Sequence, residues 1–437
     1  MKNRWLIALS GVGIHISIGS VYSWSVFNLP LASTYAWENS WAGQTFGEGS
    51  AIAMTFSLAI FFLGISAAIM GRFVERRGPR VSGMVAASFF GSGMILAGIG
   101  TWIGNIYLLW LGYGVLGGIG LGVGYITPVS TLIKWFPDRR GLATGLAIMG
   151  FGFGSTIASV SFNGIIEGYS IPAAFFVMGS IYFVVMLGSA LYLERPPQDW
   201  MPEGFKEAIA SGKKQAVKDL SQMTANEAVK KPFFWGLWSM MFINISCGIG
   251  VIYSASPLAQ ESIGLTAAEA AAVVGAMALF NGLGRIGWAS FSDYLGRGNT
   301  YLTFFVVQIA AFALLPNITS VILFQIVLYT ILTCYGGGFA TLPAFIGDLF
   351  GTKELGAIHG YVLTAWALAG IVGPQLTARL HSATGSYEIT LYIFAGAFIV
   401  ALSVAVMMKA YIKRATSRQA ANVQGEMNTQ GLVGAQS

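Results

Sequence analysis

Long apolar runs recur along this chain, each closed by a short stretch that holds most of the nearby charged residues. A helix needs about 20 apolar residues to cross the hydrocarbon core of a bilayer, so runs of this length predict membrane-spanning helices. Twelve are expected. Six lie over 5–27, 50–71, 81–101, 105–134, 141–166 and 170–194. After a polar interval, six more lie over 233–256, 267–292, 300–316, 320–349, 357–381 and 386–411. The start, "MKNRWLIALSGVGIHISIGSVYSW", has the basic-then-apolar form of a signal peptide. It lacks a small-residue cleavage site and its apolar run is long enough to span, so it is read as the first helix.

Composition agrees with this pattern. Of 437 residues, 55% are hydrophobic and 10% charged, with a mean hydropathy of +0.67, whereas a soluble domain carries about 25% charged residues. The 57 glycines suit close packing of helices in lipid. The expectation is an all-α polytopic membrane protein, embedded in a lipid bilayer and working as a monomer. Its net charge of +6 does not indicate nucleic acid, because the basic residues follow the topology. Cys247 and Cys334 both fall in predicted spans, so neither a disulfide framework nor a metal site is indicated. No cofactor is expected.

Lysine and arginine also set the orientation. Of the 24, one is Arg285 in mid-span and one, Arg379, falls at a helix end on the opposite side. The others lie at the N-terminus, in the loops that follow even-numbered spans, in 195–232 and in the C-terminal tail. The opposite side has mainly Glu38, Glu48, Glu167, Glu261 and Glu388. By the positive-inside rule both termini and the central loop are cytoplasmic. With no targeting segment evident, a cell inner membrane is the expected location. The chain divides into a six-helix half over 1–194, a central loop over 195–232, a second six-helix half over 233–411 and a polar, disordered tail over 412–437. Segment 205–230 of the central loop has the pattern of an amphipathic surface helix. It is read first as a tether between the halves.

The halves repeat. After the second span the chain reads Gly71-Arg-Phe-Val-Glu75-Arg-Arg-Gly78-Pro-Arg80, and after the eighth Ala289-Ser-Phe-Ser-Asp293-Tyr-Leu-Gly296-Arg297. An acid, two residues, a glycine and a nearby base thus recur about half a chain apart. Trp135-Phe-Pro-Asp-Arg-Arg-Gly141 and Leu349-Phe-Gly-Thr-Lys-Glu-Leu-Gly356 correspond more weakly. Duplicated halves around a central site are a mark of transporters.

Arg285 supplies the candidate chemistry. It is the lone Lys or Arg inside a predicted span, and the next charge, Asp293, is about 12 Å further along a helix. A cation at that depth costs at least ~2.5 kcal/mol and marks a bundle interior or wet cavity. The guanidinium fork suits a carboxylate. The competing reading is a structural arginine bonded to helix carbonyls or snorkelling to the interface, and the reach makes snorkelling long. Asn281 shares its face, four residues earlier. It could orient the guanidinium, bind substrate or bridge to another helix.

These features resemble the major facilitator superfamily, with its acid-x-x-Gly loops after spans 2 and 8. Several segments resemble its oxalate/formate antiporter family: Gly19-Ser-Val-Tyr22-Ser-Trp24-Ser-Val-Phe-Asn28-Leu-Pro30, Lys134-Trp-Phe-Pro-Asp-Arg-Arg-Gly-Leu142, Lys231-Pro-Phe-Phe-Trp-Gly-Leu-Trp238 and Asn281-Gly-Leu-Gly-Arg285. The resemblance implies that Arg285 binds a substrate carboxylate and that Tyr125 and Tyr335 line the cavity, with helix packing as their plainer role. Phe339 and Trp366 are candidate apolar walls. Oxalate-handling members have a lysine in span 11 where this chain aligns Trp366. One cation balances one carboxylate, so the departure implies a monocarboxylate of the lactate, pyruvate or formate kind. An oxalate-type dicarboxylate/formate antiporter is the alternative. The resemblance also implies that Glu75, Arg76, Arg80, Asp293 and Arg297 latch the cytoplasmic side without touching substrate.

His15, at mid-depth of span 1, could carry a coupling proton, although a hydrogen bond to a neighbouring helix is the commoner use of such a residue. His359 is read as structural. Tyr22 and Trp24 either line the mouth of the cavity or join the aromatic belt at the interface. No Asp or Glu lies at mid-span, so a carboxylate proton relay is not visible. A membrane enzyme would need a nucleophile, metal cluster or acid pair at one depth, which the spacing does not offer. A receptor on the same scaffold would bind without flux. The expected function is alternating-access transport of a small monocarboxylate, by proton symport or anion exchange.

Overall fold

The computed structural model describes residues 2–46, 48–197, 200–211 and 220–434. Twelve helices in it are long and apolar enough to cross a membrane: α1 (Arg4–Ser23), α2 (Met54–Arg77), α3 (Pro79–Trp102), α4 (Ile106–Trp135), α5 (Arg140–Gly168), α6 (Ile171–Tyr192), α7 (Pro232–Ile263), α8 (Ala272–Leu295), α9 (Arg297–Asn317), α10 (Val321–Phe350), α11 (Leu355–His381) and α12 (Glu388–Arg414). They match the apolar runs one for one. The sequence marks where they start. The Asn3 side chain accepts from Trp5 N at 2.8 Å, Ser170 caps α6, and Thr266 and Glu269 form a reciprocal capping box at the start of the longer helix Ala267–Leu295 that contains α8.

The glycines of the two repeated loops have a backbone reason. Gly78 and Gly296 sit at φ 85° and 84°, a region closed to most side chains. Each ends one helix and lets the next start within two residues, Pro79 opening α3 and Arg297 opening α9.

Lys2 and Arg4 fix the N-terminus beside the end of α6 and the α4–α5 turn, through Glu194 at 3.1 Å and Asp138 at 2.8 Å. We call this side, which also holds the repeated loops, the terminal face. The halves meet along α2 against α11 and α5 against α8, where glycines let the backbones touch. A side-chain carbon on Gly71 would fall 2.4 Å from Cα of Ala357, and one on Gly141 2.0 Å from the Ala289 carbonyl oxygen.

Two segments differ from expectation. The stretch 205–230 is not one amphipathic helix: short helices occupy Phe205–Ala210 and Ala225–Ala228, and 212–219 lies outside the described residues. Leu220 N and Met223 N donate instead to Asp348 O and Phe350 O, at 2.9 and 2.8 Å. These are carbonyls that the end of α10 leaves without helical donors. The segment 412–437, expected to be disordered, carries helical backbone to Gly434. It contains no proline and several strong helix formers, and 435–437 lies outside the described residues.

Candidate functional site

Arg285 is 1% exposed. Its Nε donates to Asn281 Oδ1 at 3.2 Å, one turn earlier on α8. Its Nη1 crosses between the halves to the Ile148 carbonyl of α5, at 3.2 Å. Its Nη2 is buried without a partner. Part of the structural reading is therefore realised, since one nitrogen does bond a helix carbonyl. One donor of the fork is left over, and an unpaired buried charged donor is costly.

Aromatic rings close around that cation. Its Cζ lies 5.5 Å from the ring centres of Phe151 and of Phe339, so the guanidinium is held between one ring from each half. Trp366 packs on Phe339 at 4.7 Å, Tyr125 at 5.5 Å and Phe151 at 5.9 Å. Tyr335 meets Phe339 at 5.4 Å. Tyr22 meets Phe151 at 5.0 Å and Trp366 at 6.2 Å, and its hydroxyl sits among Arg285, Tyr335 and Trp366. The hydroxyls of Tyr22, Tyr125 and Tyr335 and Nε1 of Trp366 are buried and make no hydrogen bond of ordinary length. The cage thus presents a cation and four neutral groups able to donate, and no carboxylate is among them. Such a set suits an anion with several acceptor lone pairs.

Local sequence explains the convergence. The glycines after Tyr335 give α10 a bare surface. A carbon on Gly336 would lie 2.3 Å from Asn281 O, and one on Gly338 2.5 Å from Asn244 Nδ2. Asn244 donates to Tyr335 O at 3.3 Å and accepts from Gln308 at 2.9 Å, a buried polar tie that fixes α10 where Tyr335 projects.

Arg285, Asn281, Tyr125, Tyr335, Phe339 and Trp366, the six residues expected to bind substrate, thus come together. Tyr22 joins them, whereas Trp24 packs inside the first half against Tyr113 and Phe27. Phe151 was not singled out from sequence. It stands among 30 phenylalanines with nothing local to distinguish it. His15 is fully buried behind Tyr125, 5.2 Å ring to ring, with both nitrogens on backbone carbonyls. His359 flanks the other side of Tyr125 at 5.8 Å, buried with neither ring nitrogen partnered. Among the described residues no group of three His, Cys, Asp or Glu could hold a metal ion.

At the terminal face, acids of the repeated loops reach across the halves. Glu75, at the end of α2, accepts from Gly356 N at the start of α11 at 2.8 Å, and from Lys134 and Ser130 at 2.6 and 2.7 Å. Asp293, at the end of α8, accepts from Gly141 N and Leu142 N at the start of α5, at 2.8 and 3.0 Å. Each carboxylate therefore caps a helix of the other half, where the macrodipole favours negative charge. Arg297 holds Asp293 at 2.6 Å and Asp348 at 3.1 Å, and also bonds Ser292. Arg140 crosses to Asp348 at 3.0 Å. Arg76 is exposed, and Arg80 lies 4.0 Å from Glu194 in its own half, so these two stand outside the cross-half contacts. Arg140 and Asp348 stand inside them, and Lys134 supports Glu75 from its own half; all three were unforeseen because charges at helix ends look like ordinary interfacial residues.

Comparison with known proteins agrees with this architecture. The oxalate:formate antiporter of Oxalobacter formigenes is 28% identical over 390 residues, covering 88% of this chain and 87% of that protein. Apicoplast pyruvate carrier 1 of Toxoplasma gondii is 21% identical over 476 residues, covering 88% and 85%. The crystal structure of the human organic anion transporter MFSD10 superposes with a TM-score of 0.72 at 12% identity, over 93% of this chain and all of that one, a likeness of fold. The sequence profile described as Major Facilitator Superfamily matches residues 14–374. With its twelve spans, two six-helix halves and a cage at their seam, the chain belongs to the major facilitator superfamily of transporters.

Proposed function

We propose that this protein carries a small monocarboxylate, of the lactate, pyruvate or formate kind, across a cell inner membrane by alternating access. It is not an enzyme, and it works as a monomer with both termini cytoplasmic, the orientation that its lysines and arginines favour. The observation that carries the reading is the partnerless Nη2 of Arg285 inside a closed aromatic cage. The anion takes that donor and bonds the hydroxyls of Tyr125, Tyr335 and Tyr22 and the indole N–H of Trp366. Asn281 holds the guanidinium in plane, and Phe151 and Phe339 limit the size of the substrate. Glu75, Asp293 and Arg297, with Lys134, Arg140 and Asp348, latch the cytoplasmic side while the site faces outward. Arg76 and Arg80 contribute positive-inside charge.

Arg285 bonds Ile148 across the seam, and without an anion beside it the guanidinium is a buried, unpaired charge. A bound carboxylate neutralises it, which lowers the cost of occlusion and lets the loaded carrier rock. The relative that exchanges oxalate for formate favours a second reading, in which a dicarboxylate binds and the neutral cage donors serve its second carboxylate group.

Uptake of labelled pyruvate, L-lactate, formate and oxalate into proteoliposomes tests the proposal, with wild-type protein and Arg285→Ala. Saturable monocarboxylate uptake that is lost in R285A is expected. Uptake by R285A at the wild-type rate would overturn the site. Oxalate uptake in preference to the monocarboxylates would establish the second reading.

A further inference from the structure

His15 has an environment that a neutral histidine cannot satisfy. Its Nδ1 lies 2.7 Å from the carbonyl oxygen of Ala147 and its Nε2 3.1 Å from that of Tyr125. Carbonyl oxygens only accept, and a neutral imidazole has a single N–H. In the neutral ring one nitrogen lone pair therefore faces an oxygen lone pair; in the imidazolium both nitrogens donate. The ring cannot easily turn away, because it is fully buried, with Gly150 packed on its Cβ and the Tyr125 ring on its face.

The second half of the observation is where Arg285 sits. His15 takes the carbonyl of Ala147, and Arg285 takes that of the next residue on the same helix, Ile148. The two groups thus grip consecutive carbonyls of α5, one from each half of the protein. The charged or titratable groups facing His15 are Arg285 from α8, Tyr125 from α4 and His359 from α11; α5 presents the Ala147 carbonyl, and α6 brings no such group among the described residues. The one fixed charge near it is therefore the same cation that the substrate neutralises.

We propose that His15 is the proton site of this transporter, filled when a carboxylate occupies Arg285 and emptied when it leaves. The proposal rests on the anion site described above and chooses proton symport over exchange. With the cage empty, the guanidinium opposes a second positive charge beside it. With an anion bound, the guanidinium's share of the opposition is removed, and the two carbonyls offset the burial of the imidazolium. By linkage the effect is reciprocal: proton and anion each raise the other's affinity by one common factor. Loaded carrier then moves anion and proton together, and no buried carboxylate relay is required.

The experiment uses full-length protein in proteoliposomes, with labelled pyruvate as the probe. In the wild type an inward proton gradient drives accumulation. In His15→Gln, which can donate to one carbonyl but bind no proton, that accumulation falls to the level seen without a gradient. Pyruvate–pyruvate counterflow at saturating pyruvate continues, with a raised KM because the proton's share of the anion affinity is gone. Gradient-driven accumulation by H15Q equal to wild type overturns the proposal and leaves the anion site standing. Loss of neither mode in R285A overturns the anion site itself. Should H15Q fail to fold, the wild-type protein decides. Adding pyruvate to it in weakly buffered detergent solution should remove protons, read with an indicator dye. A sole-histidine protein, H359Q/H381Q, labelled with 15N-histidine, should show both ring nitrogens moving to the imidazolium shift. No proton uptake, or a neutral ring at saturating pyruvate, overturns the proposal.

Discussion

Asp293→Asn isolates the energy that closes the terminal face. The carboxylate accepts from Gly141 N at 2.8 Å and Leu142 N at 3.0 Å across the seam, and from Arg297 at 2.6 Å within its own half. The first two bonds bias the halves toward closure there. A hydrogen bond to a charged group contributes about 1.5–3 kcal/mol and a neutral one about 0.5–1.5. Asparagine keeps one oxygen and turns its amide N–H groups toward the other donor, so one cross-seam bond is lost and the other reverts to the neutral scale. The sum is about 2.5–4.5 kcal/mol, or ~60- to 1,600-fold in the ratio of closed to open forms at ~1.4 kcal/mol per tenfold. Spin labels on R76C and Y294C can read it: Arg76 is exposed and Tyr294 is 85% exposed, on the ends of α2 and α8. The native thiols of Cys247 and Cys334 are buried and take no label. Electron–electron distance measurements on the wild type should show one short population, and D293N should add a longer, dominant one. Identical distributions in the two proteins would refute the reasoning, because the acid would then be neutral to the position of the gate.

Other consequences are equally open to test. Asn281→Ala strips Arg285 Nε of its partner, and an unsatisfied buried donor of about 1–3 kcal/mol should raise the pyruvate KM by roughly tenfold or more; an unchanged KM would show that the guanidinium is positioned by Ile148 alone. Trp366→Lys places a second cation beside Arg285, and the ratio of oxalate to pyruvate uptake in proteoliposomes should rise; a ratio at or below wild type would remove Trp366 from specificity. Gly141→Ala puts a carbon 2.0 Å from the Ala289 carbonyl, so transport should collapse while thermal unfolding shows an intact protein; normal transport would mean that the seam can part there freely. The hydroxyl of Thr266, and then its backbone N–H, hold the Glu269 carboxyl below the ordinary glutamate range. A lowered carboxyl stabilises above its ordinary range, and that contribution is lost as pH falls through the folded-state value. Thr266→Ala should therefore flatten the acid limb of a thermal-stability profile, and an unchanged limb would show that the cap contributes nothing.

Much of this architecture is legible in the sequence because the bilayer imposes so few solutions. Span length follows from solvation. Arg285 stood out for the same reason, and Asn281 followed from helical spacing. The aromatic cage was less legible. Tyr125 and Tyr335 follow only from the resemblance, and Tyr22 fits two roles because a tyrosine near a helix end suits the interface equally well. Phe151 gave no signal at all, since its role comes from lying opposite Phe339 across the seam, a relation between halves that local pattern does not encode. The same limit hid Asp348 and Arg140, whose partners are far away in sequence. The single amphipathic helix expected over 205–230 is not formed, because Leu220 N and Met223 N pair with the orphan carbonyls at the end of α10, a partner that local pattern does not show.

The reciprocal capping at the terminal face bears on ancestry. Glu75 joins the second helix of the first half to the fifth of the second, and Asp293 joins the second helix of the second half to the fifth of the first. Exchanging the halves returns the same pair of contacts, as in an isologous dimer. Two copies of a single six-helix unit, paired in this way, would close such a gate twice over. Arg285 has no counterpart in the first half among span residues. Its presence on one side alone breaks that symmetry and gives the seam a single cationic pole.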